Sequence, residues 1–198
     1  RPPWKFTVKE LEVTLGGYGT AKGSVLYLED IPVLYFPWAT YPIVKERQTG
    51  FLIPRLAYSN KYGFEVWTAF YWAMRKDMDS TLYLDYLGER GFKEGLEYRY
   101  ALTKDTKGKA NFYFIDDQVY DNNRYAFFVQ HEQKLPYGFY LKVNINYVSD
   151  NQYTRDFDED LPWGAKIDSR SLNLLRSTLF GGKNWDQYSF LTNAEYFQ

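Results

Sequence analysis

The sequence has little of the chemistry on which most enzymes depend. Its 198 residues contain no cysteine and a single histidine, His131. Disulfides, thiolate metal sites and cysteine nucleophiles are therefore excluded within these residues. One histidine also disfavours a Ser-His-Asp triad and cannot form a histidine-rich metal centre. Positive charge is not in excess either, because 24 Lys and Arg stand against 25 Asp and Glu. A non-specific nucleic-acid binder needs a summed positive field, so that class is disfavoured.

Long apolar runs are missing as well. The longest uncharged stretch, Ile31 to Val44, is interrupted by Pro32, Pro37 and Pro42. Proline breaks a helix, so no segment predicts a transmembrane helix. A secretory signal is also absent, and the chain begins with Arg1 instead of methionine. We expect a mature product or an excised piece of a longer protein.

Alternation of apolar and polar residues is the dominant pattern. Successive side chains of a strand point to opposite faces, so a period of two predicts strands with one apolar and one polar face. Their length of roughly ten residues matches tilted strands that cross a bilayer and exceeds that of typical soluble strands. About nine such segments are predicted, at 51–59, 62–72, 79–88, 92–102, 109–116, 125–134, 139–149, 171–180 and 185–197.

The connections between these segments form two sets. Short turns are predicted around 73–78, 103–108, 135–138 and 181–184. The alternate set grows to an acidic loop near 117–124 and a long insert at 150–170. Short turns at one rim and long loops at the other are typical of outer-membrane barrels. A secreted, soluble β-sandwich that binds carbohydrate and a porin-like barrel remain alternatives.

Two sets of strand residues are candidates for function. Polar residues would line a water-filled interior, and aromatic rings near strand ends would lie at the membrane–water boundary. The interior set is Glu65, Asp79, Asp85, Glu97, Arg99 and Lys142. The interface set is Trp72, Tyr98, Tyr100 and Tyr147. Sugar-stacking rings on a soluble module are the rival interpretation of the aromatics. No spacing marks a catalytic pair of carboxylates, and we predict no catalytic residue and no cofactor.

An acidic run follows the predicted strand at 139–149. Asp156, Asp158, Glu159 and Asp160 suggest a calcium site, but the glycine and the distal glutamate of an EF-hand are missing. A solvated loop is the simpler interpretation, and we predict no metal site.

The first fifty residues differ from the rest. Six of the eight prolines lie at or before Pro54. Val8 to Leu15 and Ala21 to Leu28 predict two short strands, joined by a turn at Gly16-Gly17. The alternating segments of about ten residues begin only after this region, so we place a domain boundary near Gly50.

Ordered motifs across this boundary carry a resemblance. They are Pro32-Val33-Leu34-Tyr35-Phe36-Pro37, Pro42-Ile43, Thr49-Gly50-Phe51-Leu52-Ile53-Pro54, Tyr62-Gly63-Phe64-Glu65, Tyr71-Trp72, Arg90-Gly91, Glu97-Tyr98-Arg99-Tyr100 and Val148-Ser149-Asp150. Together they resemble the junction between periplasmic domain and barrel in the family of LPS-assembly outer-membrane proteins (LptD, formerly OstA). Two features depart from that family: Ala69 stands where a proline is usual, and its interdomain cysteines are missing.

The resemblance implies an all-β fold in two parts. Residues 1–49 would form the C-terminal part of a periplasmic β-jellyroll (β-taco) domain with its linker. Residues 50–198 would form the N-terminal strands of a large outer-membrane β-barrel. Nine strands is an odd number, whereas bacterial barrels close with an even number, so we expect the barrel to be incomplete.

The resemblance also implies a function, which is transport and assembly and not catalysis. Lipopolysaccharide (LPS) would reach the outer leaflet through a weak lateral seam between the first and last barrel strands. Proline lacks the N–H that a strand ladder needs, so Pro54, with Phe51 and Ile53, marks the first strand at that seam. The implied partners are LPS, an LptE-like plug lipoprotein in the lumen, an LptA-like periplasmic bridge protein and the barrel-insertion machinery.

Overall fold

The structure is a computed structural model that describes residues 4–14, 18–42 and 47–198. Alternating aromatic and β-branched residues form long strands because such side chains suit a pleated sheet. The strands are β1 (Trp4–Thr7), β2 (Glu10–Val13), β3 (Tyr18–Leu28), β4 (Ile31–Pro42), β5 (Gly50–Phe51), β6 (Arg55–Ser59), β7 (Gly63–Arg75), β8 (Met78–Leu87), β9 (Gly91–Thr103), β10 (Thr106–Asp117), β11 (Asn122–Lys134), β12 (Phe139–Val148), β13 (Arg176–Asn184) and β14 (Ser189–Phe197). The helices are a 3₁₀ turn (Pro136–Gly138), α1 (Tyr153–Asp156) and α2 (Trp163–Leu172). Within the described ranges, no helix has the length and apolarity to cross a membrane.

The first four strands form a small antiparallel sheet. β3 pairs with β1, β2 and β4. The prediction for Ala21 to Leu28 is confirmed within β3, whereas β1 and β4 were not predicted. β4 accommodates its prolines because, among the described residues, it pairs with β3 alone, and proline is tolerated on an edge strand. The predicted turn at Gly16-Gly17 lies outside the described residues.

The remaining strands form a ten-stranded antiparallel sheet in which, from β6 onward, each strand pairs with the next along the chain. The all-β class is therefore confirmed. β14 forms one edge, and β5 and β6 form the other, where both pair with β7. The sheet is not closed within the described residues, and the succession of a jellyroll and a barrel stays a prediction.

The first strand of this sheet is broken, where the sequence predicted one segment at 51–59. Phe51 pairs with Phe70, and Arg55 pairs with Trp67. Three residues, 52–54, therefore lie opposite two, 68–69, which is a bulge. Leu52 still donates its amide to the carbonyl oxygen of Ala69 at 2.8 Å. Pro54 stands at the end of the bulge, just before pairing resumes.

The turn predicted around 103–108 is confirmed at 104–105, although Gly108 itself lies inside β10. The turn predicted at 181–184 is wrong, because Gly181-Gly182 lie inside β13 and the turn falls at 185–188. A Cβ on Gly108 would come within 2.4 Å of the Tyr100 hydroxyl, and one on Gly182 within 2.6 Å of the Phe190 carbonyl oxygen. These glycines leave room for an aromatic ring or a close backbone.

The connection between β12 and β13, residues 149–175, is the longest in the sheet and is called the strap here. It contains α1 and α2, so the strand predicted at 171–180 begins only at Arg176. The predicted acidic loop near 117–124 is only a turn at 118–121 between β10 and β11. The strap buries apolar side chains against one face of the sheet, and this contact forms the core. Its buried members are Tyr62, Leu87, Ile115, Ala126, Phe128, Val148, Tyr153, Phe157, Leu161, Ala165 and Leu175.

Candidate functional site

The six polar residues predicted to line an interior lie on one face of the large sheet, the polar face. Cross-strand pairing connects them in pairs or through neighbours: Asp79 faces Arg99, and Asp85 faces Lys93. Four of them are buried, namely Glu65, Asp79, Asp85 and Glu97. The strap covers the end of this face near the 88–90 and 118–121 turns. The opposite half is more open, and Lys142 is 59% exposed there.

Ion pairs line the open half of the polar face. Asp79 accepts from Arg99 Nε at 2.7 Å and from Arg47 Nη1 at 3.0 Å. Arg47 belongs to the segment that enters the sheet, so its pair with Asp79 attaches that segment to β8. Glu97 is paired with Lys109 at 2.6 Å and lies 3.4 Å from Arg99. The carboxylates of this surface are buried, and their basic partners Arg99 and Lys109 are about half exposed.

The other face of the sheet, the apolar face, carries large hydrophobic side chains that no described element covers. Leu84 is 51% exposed and Phe112 is 44% exposed, whereas Asp79 on the polar face is only 2% exposed. A water-soluble sheet has the reverse arrangement, with apolar residues covered and charges bare. Glu94 is a charged residue between Phe92 and Leu96 near the middle of this face. Asp116 and Lys183 also lie on it, near the ends of β10 and β13. Such a contiguous bare apolar surface requires an apolar medium or partner.

Two rows of aromatic rings border the apolar face. Trp72, Tyr98 and Tyr100, three of the predicted interface residues, lie towards the short turns 76–77 and 104–105. Tyr147 lies at the opposite end, where its ring stacks on Tyr125 with centroids 6.1 Å apart. Phe92 and Tyr100 on β9 are eight positions apart, roughly 26 Å along a strand at 3.3 Å per residue. A tilt of about 40° would leave roughly 20 Å of height, near the hydrocarbon band of an outer membrane.

Arg124 is the centre of the contact between the strap and the polar face. It is 2% exposed and makes a bidentate pair with Asp150, with both N···O distances 2.9 Å. Its Nη1 also lies 2.8 Å from Asp117 and 2.8 Å from Asp156. Arg90 adds a second cation, 2.6 Å from Asp117 and 3.2 Å from Asp156. Two arginines thus contact three carboxylates, of which Asp117 is fully buried and Asp150 is 38% exposed.

A second set of contacts lies further along the strap. Lys93, buried on β9, is 2.7 Å from Asp160, which also accepts from the Tyr153 hydroxyl at 2.8 Å. Tyr62, in the turn between β6 and β7, places its hydroxyl against the Asp156 carbonyl oxygen and 2.7 Å from Glu159. Burial and the Glu159 carboxylate raise the pKa of Tyr62, so its hydroxyl stays protonated and donates.

The acidic run of the strap is therefore not a solvated loop, because its carboxylates are paired with basic side chains. Asp158 contacts Lys166 at 2.9 Å and Arg170 at 2.6 Å. The Lys166 hydrogen bond lowers the pKa of Asp158 to about 2, against partial burial and with help from Arg170 and Lys61. Among the described residues, no group of three or more His, Cys, Asp or Glu is arranged to hold a metal ion. The His131 imidazole pairs instead with the Tyr100 hydroxyl at 2.6 Å.

A cleft of about 750 Å³ remains between the strap and the polar face. Trp67, Tyr83 and Tyr113 form part of its wall, with Glu97 and Lys109. Trp67 is covered by the Arg55 guanidinium 4.8 Å from the ring centroid, and its Nε1 donates to Glu65 at 2.7 Å. The cleft is an amphipathic space on the polar face of the sheet.

The sequence predicted that the six polar residues share one face, but it did not predict the contacts of the strap. Arg124, Arg90 and Tyr62 were not singled out. Charge complementarity could have indicated these contacts. The strap carries an acidic run, and basic residues lie at or near the ends of the strands that it crosses. The three residues predicted at the seam lie at the broken edge strand, where Phe51 is 66% and Ile53 is 79% exposed.

Fold and site together define the class: an antiparallel β-meander with inverted faces, polar residues under cover and apolar residues bare. A profile described as the LptD protein family matches residues 20–198. The match covers most of the chain, and the chain belongs to the LptD family.

Individual relatives agree with the profile. The LPS-assembly protein LptD of Aromatoleum aromaticum is 32% identical over 177 residues, which cover 88% of this chain and 22% of the relative. The LptD of Xanthomonas oryzae pv. oryzae is 33% identical over 162 residues, 81% of this chain and 20% of the relative. The LptD of Cupriavidus necator is 33% identical over 199 residues, 98% of this chain and 23% of the relative. The chain thus spans about a fifth of the length of these relatives.

Proposed function

We propose that this chain is the part of an outer-membrane LPS-assembly protein that contains the end of the periplasmic domain and the first barrel strands. Residues 1–49 are the periplasmic part, and residues 50–198 supply the barrel strands. The apolar face lies against lipid, and the polar face lines the lumen. The observation that carries the proposal is the inversion of the two faces, since charges are covered while leucines and phenylalanines are bare.

The open half of the polar face is where the plug lipoprotein and the sugar portion of LPS would lie. Arg99 is 45% and Lys109 is 44% exposed there, so both remain available to a partner. The strap belongs to the rim with the long connection, which in outer-membrane barrels is extracellular. The short turns then face the periplasm, where the bridge protein delivers LPS. Barrel-insertion machinery would be needed because β7 to β14 and the broken first strand must pair and close in lipid.

The seam is proposed at the broken first strand. The bulge at 52–54 interrupts the ladder to β7, and the amide-less Pro54 cannot donate to either neighbour. A first strand that offers fewer hydrogen bonds to the last strand separates at lower cost than a continuous one. Ile53 and Phe51 then line the exit for acyl chains. Movement of LPS along this route is a binding and transfer process that needs no catalytic group.

Photo-crosslinking in the full-length protein tests the proposal. A photoreactive amino acid at Ile53 should label LPS only while LPS delivery is running. The matched control is the same amino acid at Leu84, which lies inside the sheet two strands away and should label bulk lipid whether or not delivery runs. Equal labelling at both positions, independent of delivery, would refute the seam. Labelling of neither position by any lipid would refute the membrane-facing surface itself.

A further inference from the structure

The strap crosses the polar face from one side of the sheet towards the other. It leaves β12, and Asp150 pairs with Arg124 on β11. Asp156 then reaches Arg90 in the turn between β8 and β9. Asp160 pairs with Lys93 on β9, and Glu159 reaches Tyr62 in the turn between β6 and β7. The strap thus makes contacts from β11 to the turn beside the first edge strand.

Tyr62 makes the most extensive contact at the far end of this path. It is 5% exposed, and its ring stacks on Phe157 with centroids 5.9 Å apart and planes inclined by 9°. Its hydroxyl meets the Asp156 carbonyl oxygen and Glu159. The neighbouring Lys61 lies 3.8 Å from Asp158 and 3.9 Å from Glu159. The turn of the first hairpin is therefore attached to the strap by packing, hydrogen bonding and charge.

The first hairpin, β6 and β7, has few other attachments on its outer side. β6 is five residues long and, within the described ranges, pairs with β7 alone. Tyr58, near its end, is 77% exposed. The bulge at 52–54 separates β6 from β5, so pairing along the strand is not continuous. A short edge strand of this kind opens easily unless something else holds it.

We propose that Tyr62 is a positioning residue through which the strap holds the first hairpin in place. When the strap is seated, Phe157 and Glu159 fix the Tyr62 ring and hydroxyl, and β6 stays paired. When the strap moves away, the hairpin loses this support and β6 opens more often. If the first edge is the lateral seam, which rests on the proposed function, the strap and the seam move together. This coupling acts at a distance, because β8 to β11 lie between β12, where the strap begins, and the first hairpin.

Hydrogen exchange of the full-length protein in lipid nanodiscs tests the coupling. Tyr62→Phe keeps the ring and removes the hydroxyl, and we expect amide exchange in residues 55–59 and 153–160 to accelerate together, at least about fivefold, with β10 and β11 unchanged. Tyr58→Phe, on the same hairpin but exposed, should change neither. Glu159→Ala combined with Tyr62→Phe should accelerate exchange by less than the product of the two single effects, because both variants remove the hydrogen bond between Tyr62 and Glu159.

A converse variant covers the case in which Tyr62→Phe does not fold. Lys61→Cys and Asp158→Cys, joined by a short bis-maleimide, should slow exchange in residues 55–59 relative to the unlinked double variant. Faster exchange confined to the turn 60–62, or no slowing on linkage, would overturn the coupling whatever LPS delivery shows. Coupled exchange with unchanged LPS delivery on linkage would uphold the coupling and count against a seam at this edge.

Discussion

Arg124 Nη1 on β11 lies 2.8 Å from Asp156 Oδ2 of the strap, and the same nitrogen lies 2.8 Å from Asp117 on β10. A single buried guanidinium nitrogen thus connects the sheet to its cover. Burying a charge is costly unless it is paired, and here each charge is paired more than once. These ion pairs fix the position of the strap on the sheet, because its carboxylates must lie beside the two arginines.

Removal of Arg124 should therefore release the strap. Arg124→Met leaves Asp117 and Asp156 in a buried site with Arg90 as their remaining cation, and the expected loss of stability is about 3–5 kcal/mol. Trypsin should cut at Lys166 and Arg170 much faster in this variant. Lys142→Met, on the same face but 59% exposed, is the control and should cost less than about 1 kcal/mol. Equal cleavage of both variants would contradict a central role for Arg124.

The strap should also loosen in acid through Asp158. The pKa of this carboxyl is lowered from 3.8 to about 2, with the hydrogen bond from Lys166 as the main cause. A lowered pKa contributes stability that is fully present above about pH 4 and is lost as pH falls towards 2. The contribution is on the order of 1 kcal/mol, because the side chain is 29% exposed and solvent screens the pair.

Asp158→Asn gives the measurement for this prediction. Amide exchange in residues 158–172, corrected for intrinsic pH dependence, should be faster in the variant than in the parent at pH 6. The difference should shrink as pH falls towards 2, where about half of the parent Asp158 carboxyls are protonated. A difference that persists unchanged at pH 2 would show that Asp158 acts by packing and not by charge.

Much of the large sheet could be predicted from the sequence because period two is a local property. Face assignment follows from parity alone, so residues as far apart as Glu65 and Lys142 were placed on one face without any knowledge of pairing. The junction motifs around Gly50 and Pro54 added the position of the first strand. The bulge itself was not predicted, since it depends on how 52–54 meet β7.

The strap could not be predicted in the same way because its structure is tertiary. Asp156 and Asp160 look like solvated charges until Arg90, Arg124 and Lys93 are brought beside them by strand pairing. Glycine was misleading for a related reason. Gly108 has the sequence environment of a turn, and only the ring of Tyr100 on the neighbouring strand explains its presence inside β10.

Gly108→Ala should consequently destabilise the sheet. The new Cβ would lie 2.4 Å from the Tyr100 hydroxyl and 2.8 Å from the Gln130 carbonyl oxygen, so a strand must shift or the Tyr100–His131 pair must break. The expected cost is about 1–3 kcal/mol. Gly50→Ala, where nothing lies within 4 Å of the added atom, should be neutral within about 0.5 kcal/mol. Urea unfolding from lipid vesicles measures both, and equal stability of the two variants would contradict the packing argument.

The last prediction concerns the apolar face directly. Leu84→Arg places a charge near the middle of that face, which in a bilayer costs about 2–4 kcal/mol. Glu94→Gln removes a charge near the middle of the same face, between Phe92 and Leu96, and should stabilise the folded protein slightly. On a water-exposed surface both substitutions would fall within about 0.5 kcal/mol of the parent, because isolated charges there cost little. Unfolding from lipid vesicles therefore separates the two environments: a neutral Leu84→Arg would mean that this face of the LptD-family chain does not contact hydrocarbon.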